Sequence, residues 1–174
     1  METAMLYPEF WLEHIAGSPD TVLDAAELDD YNRRTVAQSE ALVDLNSYPV
    51  QLSRAAILES IRRASPEPRS PRFHPDGKAF THEDYLALEK CMNLAAIPET
   101  VAVRWALVTR RSELRTFPDS AAICNSERDP EVDMFLETGL NTGDVLAILH
   151  VTADRQWFFV QRFNYRGWVR ASDV

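Results

Sequence analysis

The sequence predicts an α+β protein, in which an irregular helical region over residues 1–100 precedes an all-β barrel over residues 101–174. Three observations support this division. Apolar residues recur at helical spacing only in the first region. From Val101 onward they alternate with polar residues, as in half-buried strands. The alternating segments are short and bounded by Asp, Asn and Gly, which is typical of a small closed or nearly closed barrel.

The first two helices are predicted from apolar stripes and terminal residues. A first helix begins near Pro8, because proline suits the first turn, and Gly17–Asp20 ends it. Its stripe consists of Leu6, Tyr7, Phe10, Trp11 and Ile15. A second helix is predicted over roughly residues 24–38. Acidic residues crowd its front, where the helix dipole favours them.

Two more helices flank a proline-rich connector. A compact amphipathic helix is predicted over residues 53–64, with its first serine as the N-cap. Residues 65–76 contain four prolines and therefore cannot be helical. Thr81 and Asp84 have the spacing of a capping box, and the helix that they open closes before Pro98.

The second region has the strand order of a known barrel type. A strand is predicted over residues 102–109, followed by a long polar excursion over 110–136. Residues 144–152 and 156–163 form a hairpin, and residues 168–170 form a last short strand. A long loop after the first strand, a hairpin and a final Gly-Trp-Val segment are the SH3-like order.

Composition excludes several functions and leaves the compartment open. The net charge of −9 without a basic patch argues against nucleic-acid binding. No stretch approaches the roughly 18 apolar residues of a membrane helix, so no membrane insertion is expected. The amino terminus is acidic and lacks the positive front of a secretory signal. A cytoplasmic location is expected if the chain is complete, and a periplasmic or extracellular one if a signal was removed.

No residue type stands in a recognisable catalytic or metal-binding pattern. Cys91 follows a helical leucine series, so we expect a buried, inert thiol. Cys124 lies in a polar loop, where it could be exposed, but no histidine nearby is positioned by motif to act as its base. No His, Cys or acidic residues share a metal-ligand spacing. The sequence therefore predicts no catalytic residue, no metal and no cofactor.

Ordered motifs over most of the chain resemble one family. The stretches ALVTRRSELRTFPD (106–119), DMFLETGLNTGDVLAILHVTADRQWFFVQ (133–161) and NYRGWVRASDV (164–174) resemble the bacterial SH3 domain of multidomain NlpC-type murein endopeptidases. Residues 73–111 resemble the stabilising segment that precedes the barrel in those proteins. The likeness is strongest over residues 104–174.

The sequence departs from that family in one decisive respect. In the family, a Cys–His pair in a later papain-like domain cuts the peptide bond, and the cysteine stands in an Asp-Cys-Ser-Gly context. Cys124 instead reads Ile-Cys-Asn-Ser, so we expect the catalytic domain to be absent from this chain. Leu136 also replaces a glutamine that is common before the Glu-Thr pair. The chain is expected to be either a fragment of a longer peptidase or a natural split form.

The resemblance implies a non-catalytic module that recognises cell-wall peptides and stabilises an NlpC-type cysteine peptidase. Family members cleave the γ-D-glutamyl to diamino acid bond of peptidoglycan stem peptides. The implied partners are a papain-like peptidase domain, in cis or in trans, and those stem peptides. The alternative is a free-standing SH3-like protein-interaction module without any peptidase partner.

One arginine and four aromatic residues are the candidate binding residues: Arg115, Phe117, Trp157, Tyr165 and Trp168. Tyr165 lies in a turn and is expected to be exposed. Trp168 is expected to be half-buried and structural. Arg115, in the long excursion, either meets a carboxylate or is solvated.

Alternation in the hairpin requires a choice between two faces. Trp157 and Phe159 share one face, and Phe158 and Val160 share the other. We expect Phe158 and Val160 to point inward and Trp157 to point outward.

Overall fold

The computed structural model describes residues 3–14, 21–39, 41–126 and 132–174. The chain divides into two compact units, Met1–Glu40 and Ala41–Val174. The boundary predicted between residues 100 and 101 therefore lies inside the second unit. Within the described residues, no helix combines the length and apolar character that crossing a bilayer requires.

The first unit contains both helices predicted for it. α1 spans Pro8–His14 and follows a 3-10 turn, and α2 spans Ala25–Gln38. Asp24 caps α2 in a reciprocal capping box with Glu27, which satisfies two free N–H groups of the first turn. The predicted end of the first helix at Gly17–Asp20 falls outside the described residues.

Two short sheets and two helices open the second unit. α3 spans Arg54–Ala64 and α4 spans His82–Met92. Ser53 caps α3 and Thr81 forms a capping box with Asp84, as predicted. The short strands are β1 Gln51–Ser53, β2 Arg72–Phe73, β3 Ala79–Phe80 and β4 Thr100–Ala102, and they pair as β1–β4 and β2–β3.

The remaining strands build a six-stranded antiparallel sheet. They are β5 Arg104–Leu107, β6 Ser112–Arg115, β7 Leu136–Leu140, β8 Val145–Val151, β9 Trp157–Gln161 and β10 Arg166–Arg170. Their order along the sheet is β5–β8–β9–β10–β6–β7. This sheet follows a helical segment in the chain, which confirms the predicted α+β class and the SH3-like barrel.

The predicted long excursion contains a strand that the sequence pattern did not indicate. Residues 112–115 form β6, which lies between β10 and β7 rather than in a loop. Leu114 is its only aliphatic residue and is fully buried. A four-residue strand with charges on both sides of one leucine has no period-two signal. The strand forms because its neighbours in the sheet provide its hydrogen-bond partners.

Both faces of the sheet are covered by apolar packing. The inner face encloses one cluster, which consists of Val108, Leu114, Leu140, Leu146, Ile148, Val160 and Val169. Side chains of the opposite face join a second cluster with α3 and α4; its sheet and loop members include Phe117, Ala147, Leu149, Trp157, Phe159 and Trp168. The helical segment is therefore the outer half of a shared core.

Trp157 lies on the outer face of the sheet, as predicted, but that face is not exposed to solvent. Trp157 is buried, and so is Phe159 on the same face, whereas Phe158 on the inner face is only partly buried and Val160 is buried. Alternation identifies two faces of a strand but not how many of them are covered. Here the second cluster covers the face that a free-standing barrel would expose to water.

The carboxyl end of α4 is tied to the β8–β9 hairpin. The carbonyl of Cys91 accepts the N–H of Ala153 at 3.1 Å, and the carbonyl of Met92 lies 2.7 Å from Nε2 of His150. The last carbonyls of a helix have no partner within the helix. The barrel supplies partners for two of them, which fixes the position of α4 on the sheet.

Candidate binding site

Trp168 lies in the interior and presents no surface to a ligand. Its side chain is 0% exposed, rather than half-buried as predicted. The indole Nε1–H donates to Oγ of Ser65 at 3.1 Å, and the ring packs against Phe159 with centroids 5.3 Å apart. Its contacts are those of a structural residue.

Phe117 lies at the floor of a groove between the helices. It is buried and packs against Phe135 and Tyr85, with ring centroids 4.7 and 5.5 Å away. The groove has a volume of about 270 Å³ and a polar rim that includes Glu67 and His82. Phe117 supplies apolar surface at its base.

Tyr165 is exposed, as predicted, with 39% of its surface accessible. It lines a separate groove of about 380 Å³, together with Arg63, Thr116, Glu137 and Arg166. Glu137 accepts the hydroxyl of Thr116 at 2.8 Å. This groove therefore carries both signs of charge.

Arg115 meets carboxylates, but they belong to its own chain. Its side chain is 2% exposed, so the solvated alternative is wrong. Nη1 lies 2.7 Å from both Glu113 and Asp133, and Nη2 donates to the carbonyl of Ala121 at 2.8 Å. Asp133 in turn accepts the N–H groups of Ile123 and Phe135. Arg115, in β6, therefore holds Ala121 and Asp133 of the long excursion in place.

Arg115 and Trp157 are brought together by the fold in one cleft. This arginine cleft has a volume of about 310 Å³ and is lined by Arg111, Ser112, Glu113, Arg115, Ser120, Trp157, Arg170 and Asp173. Arg170 faces Trp157 across the β9–β10 ladder, with its guanidinium carbon 5.1 Å from the ring centroid. Of the five predicted residues, these two line this cleft.

The charges in the arginine cleft are unequally partnered. Asp173 is bonded to Ser112 at 2.6 Å and to Nε of Arg110 at 2.7 Å. Burial raises the pKa of Asp173, but hydrogen bonds from Ser112, Arg110 and Ser172 outweigh it and hold the pKa below its ordinary value. By contrast, Arg111 and Arg170 form no ion pair with any residue that the structure describes. The cleft therefore has two cations available at its surface.

Sequence reasoning missed the contributions of Arg111, Arg170 and Asp173. Arg170 could have been found from the register of the β9–β10 hairpin, which places it opposite Trp157. Arg111 and Asp173 are far apart in sequence, and no local pattern links them. They come together because Arg111 precedes β6, Asp173 follows β10, and these two strands pair.

The cysteines and histidines show no arrangement for bond cleavage in the described residues. Cys91 is partly buried, and burial together with the charges of Asp154 and Asp119 raises the pKa of its thiol. Cys124 is buried, so it is not exposed. Burial also lowers the pKa of His150, whose hydrogen bond to Met92 opposes the shift. The described part of the chain contains no group of three or more His, Cys, Asp or Glu side chains placed to hold a metal ion.

Comparison with known proteins relates the barrel to one domain type. Residues 125–170 match the family described as SH3 domain, SH3b1 type. A comparison with curated protein sequences found no match.

Among solved structures, the chain is similar to a novel NlpC/P60 endopeptidase from Photobacterium damselae subsp. piscicida. The TM-score is 0.63 and the sequence identity is 16%. The similarity covers 93% of this chain and 39% of the endopeptidase chain, so the chain spans well under half of that protein. Residues 125–170, which include β7–β10, are therefore similar to SH3 domains of the SH3b1 type, and the chain has the fold of the part of an NlpC/P60 endopeptidase that it covers.

Proposed function

We propose that this chain is a non-catalytic module that recognises cell-wall peptides and stabilises an NlpC-type cysteine peptidase. The observation that carries the proposal is the extent of the structural match, which covers 93% of the chain and thus far more than the barrel. An isolated SH3 domain would account for the barrel alone. The helical segment before it is shared as well, which supports a common architectural role.

The stabilising part of the proposal rests on the shared core. α3 and α4 contribute Ile57, Ile61, Tyr85, Leu88 and Met92 to the cluster that covers the outer face of the sheet. Burial of such side chains contributes about 1.5–3 kcal/mol each to folding. A barrel whose sheet is covered on both faces suits a domain that keeps a fixed position beside a catalytic domain.

The recognition part of the proposal rests on the clefts at the barrel surface. The arginine cleft and the groove at Tyr165 combine charged side chains with an aromatic ring, and such surfaces suit extended peptides. The ligands we propose are peptidoglycan stem peptides, and the peptidase would be of the γ-D-glutamyl-diamino acid type. The papain-like domain would act in cis or in trans.

The proposal is tested with the purified 174-residue chain. Co-sedimentation with peptidoglycan sacculi and calorimetry with the stem tripeptide L-alanyl-γ-D-glutamyl-diaminopimelate measure wall binding. Pull-down with a purified papain-like NlpC-type domain measures the second partner. We expect binding of the peptide and of the domain. Binding of neither would overturn the proposal.

A free-standing protein-interaction module is the second candidate. An exposed apolar strip on β5 and β8 favours it, because Trp105 is 49% exposed and Leu107 and Val145 flank it at the surface. Contiguous apolar surface of this kind marks protein contacts. Retention of the papain-like domain by the wild-type chain, and its loss in Trp105→Ser, would assign the strip to a peptidase. If the chain binds wall peptides but not the papain-like domain, the strip would be assigned to a protein partner other than the peptidase.

A further inference from the structure

We propose that the arginine cleft is a carboxylate-binding subsite, in which Arg111 and Arg170 bind a free carboxylate of a peptide ligand. The identification of that peptide as a cell-wall peptide rests on the proposed function. The carboxylate chemistry rests on the cleft itself.

Arg170 is held in a geometry that leaves its donors available. Its guanidinium lies over the indole of Trp157, which is fixed in the core. The N–H groups of this guanidinium form no ion pair with the described residues, and they match a carboxylate in a bidentate arrangement. Because the ring restricts the arginine before a ligand arrives, less conformational entropy is lost on binding.

Arg115 forms the wall of the cleft and fixes its shape. Its guanidinium is buried and bound on two nitrogens by Glu113, Asp133 and Ala121. Its Nε is buried and has no hydrogen-bond partner among the described residues. A buried N–H without an acceptor is costly, and such groups are rare in folded proteins. Because this N–H is buried, Arg115 serves as a fixed wall of the cleft, and Arg111 and Arg170 supply the donors to a ligand.

The acids of the cleft do not compete for the two free arginines. Glu113 is engaged with Arg115, and Asp173 is engaged with Arg110 and Ser112. Arg111 and Arg170 have no acidic partner in the described ranges 41–126 and 132–174. A carboxylate between them gains charge-assisted hydrogen bonds and displaces no internal ion pair.

The size and chemistry of the cleft suit one class of group in the proposed ligand. A volume of about 310 Å³ accepts one carboxylate with its neighbouring residue but not a folded domain. In a γ-D-glutamyl link the side-chain carboxyl forms the amide, so the α-carboxyl remains free and charged. That α-carboxylate is the group we place in the arginine cleft.

The test compares two peptides that differ only at this group. Calorimetry on the full chain uses L-alanyl-γ-D-glutamyl-lysine and its α-carboxamide analogue, which carries D-isoglutamine instead. We expect the amide to bind at least about tenfold more weakly, which corresponds to about 1.4 kcal/mol. Arg111→Gln and Arg170→Gln should each reduce binding of the acid toward that of the amide. Arg170→Lys should give an intermediate loss, because it keeps the charge but not the bidentate fork.

Arg104→Gln is the matched control. Arg104 also lies over an aromatic ring, 5.9 Å from the centroid of Phe158, and is exposed, but it is on β5 outside the cleft. It should leave the affinity unchanged. Circular dichroism and the melting temperature establish that each variant is folded.

The outcomes separate the subsite from the proposed function. Equal affinity for acid and amide, or equal losses in Arg104→Gln and Arg170→Gln, would overturn the subsite while wall-peptide binding stands. Binding of acetyl-alanyl-alanine that depends on Arg111 and Arg170, with no binding of the glutamyl peptide, would support the carboxylate subsite. The same result would overturn the assignment of a cell-wall peptide as its ligand. If neither the glutamyl peptide nor acetyl-alanyl-alanine binds at millimolar concentration, the subsite is overturned.

Discussion

The indole of Trp168 donates its N–H to the hydroxyl of Ser65 at 3.1 Å, and that hydroxyl donates to the carbonyl of Thr116 at 2.5 Å. Ser65 is also the residue that ends α3. A single side chain therefore joins the last strand of the barrel, the loop after β6 and a helix of the preceding segment. Ser65 is partly buried, and Trp168 is 0% exposed, so the indole N–H depends on this side chain for its partner.

Ser65→Ala should lower the free energy of unfolding by about 1–3 kcal/mol, because it leaves the Trp168 N–H and the Thr116 carbonyl without partners. Urea denaturation followed by tryptophan fluorescence measures the change. Ser60→Ala is the control, since its hydroxyl accepts a hydrogen bond from Arg166 and both residues are partly exposed. The control should change stability by less than about 0.5 kcal/mol. Equal losses in both variants would contradict the role of Ser65.

Gly167 is required where β10 crosses β6. A Cβ on this residue would lie 2.6 Å from the carbonyl oxygen of Arg115 and 3.2 Å from Cγ of Leu114. Gly167→Ala should therefore cost about 2–3 kcal/mol or more, because the backbone of β6 must move. Gly139→Ala in β7 is the matched control, since its Cβ would have no neighbour within 4 Å. Thermal denaturation of both variants tests the difference, and similar melting temperatures would refute it.

Arg115→Met should destabilise the second unit by about 2–4 kcal/mol, because Glu113 and Asp133 lose a buried cation. Asp133 keeps two backbone N–H donors, which limits the loss. Arg54→Met removes an exposed ion pair with Glu99 and should cost no more than about 1 kcal/mol. Chemical denaturation at constant ionic strength compares the two. A loss in Arg54→Met as large as in Arg115→Met would contradict the expectation.

Stability should decrease on mild acidification because of His150. Burial lowers the pKa of this imidazole in the folded chain, whereas the unfolded chain takes up the proton near pH 6.5. Below about pH 6.5 the unfolded state therefore binds more protons, and the free energy of unfolding falls as the pH falls.

His150→Gln should flatten this dependence between pH 7.5 and 5.5, as measured by urea denaturation at each pH. His14→Gln is the control, since His14 lies exposed on α1 in the other unit. The same slope in wild type and His150→Gln would show that another group is responsible.

The helix starts could be predicted because their causes are local. Ser53 and Thr81 each accept the N–H of the residue three positions later, and sequence displays that spacing directly. The predicted α+β class and the β8–β9 hairpin followed from patterns of similar range. The end of α4 at Met92, with Asn93 in a left-handed conformation, was not predicted.

The burial of Trp157 and Arg115 could not be predicted in the same way. Trp157 is buried because packing from outside the barrel and Arg170 cover a face that alternation leaves unassigned. Arg115 is buried because Asp133, on the far side of the excursion, neutralises it. Each depends on a contact between distant residues, which neither periodicity nor composition encodes.

Because both faces of its sheet are covered, the barrel cannot be transferred to another protein without the helices that cover it. A chimera that received only residues 101–174 would carry Trp157, Phe159 and Trp168 into water on its uncovered flank. Such a graft would associate with itself or with its host through that flank. The piece of chain that can be transplanted as a whole begins at Ala41.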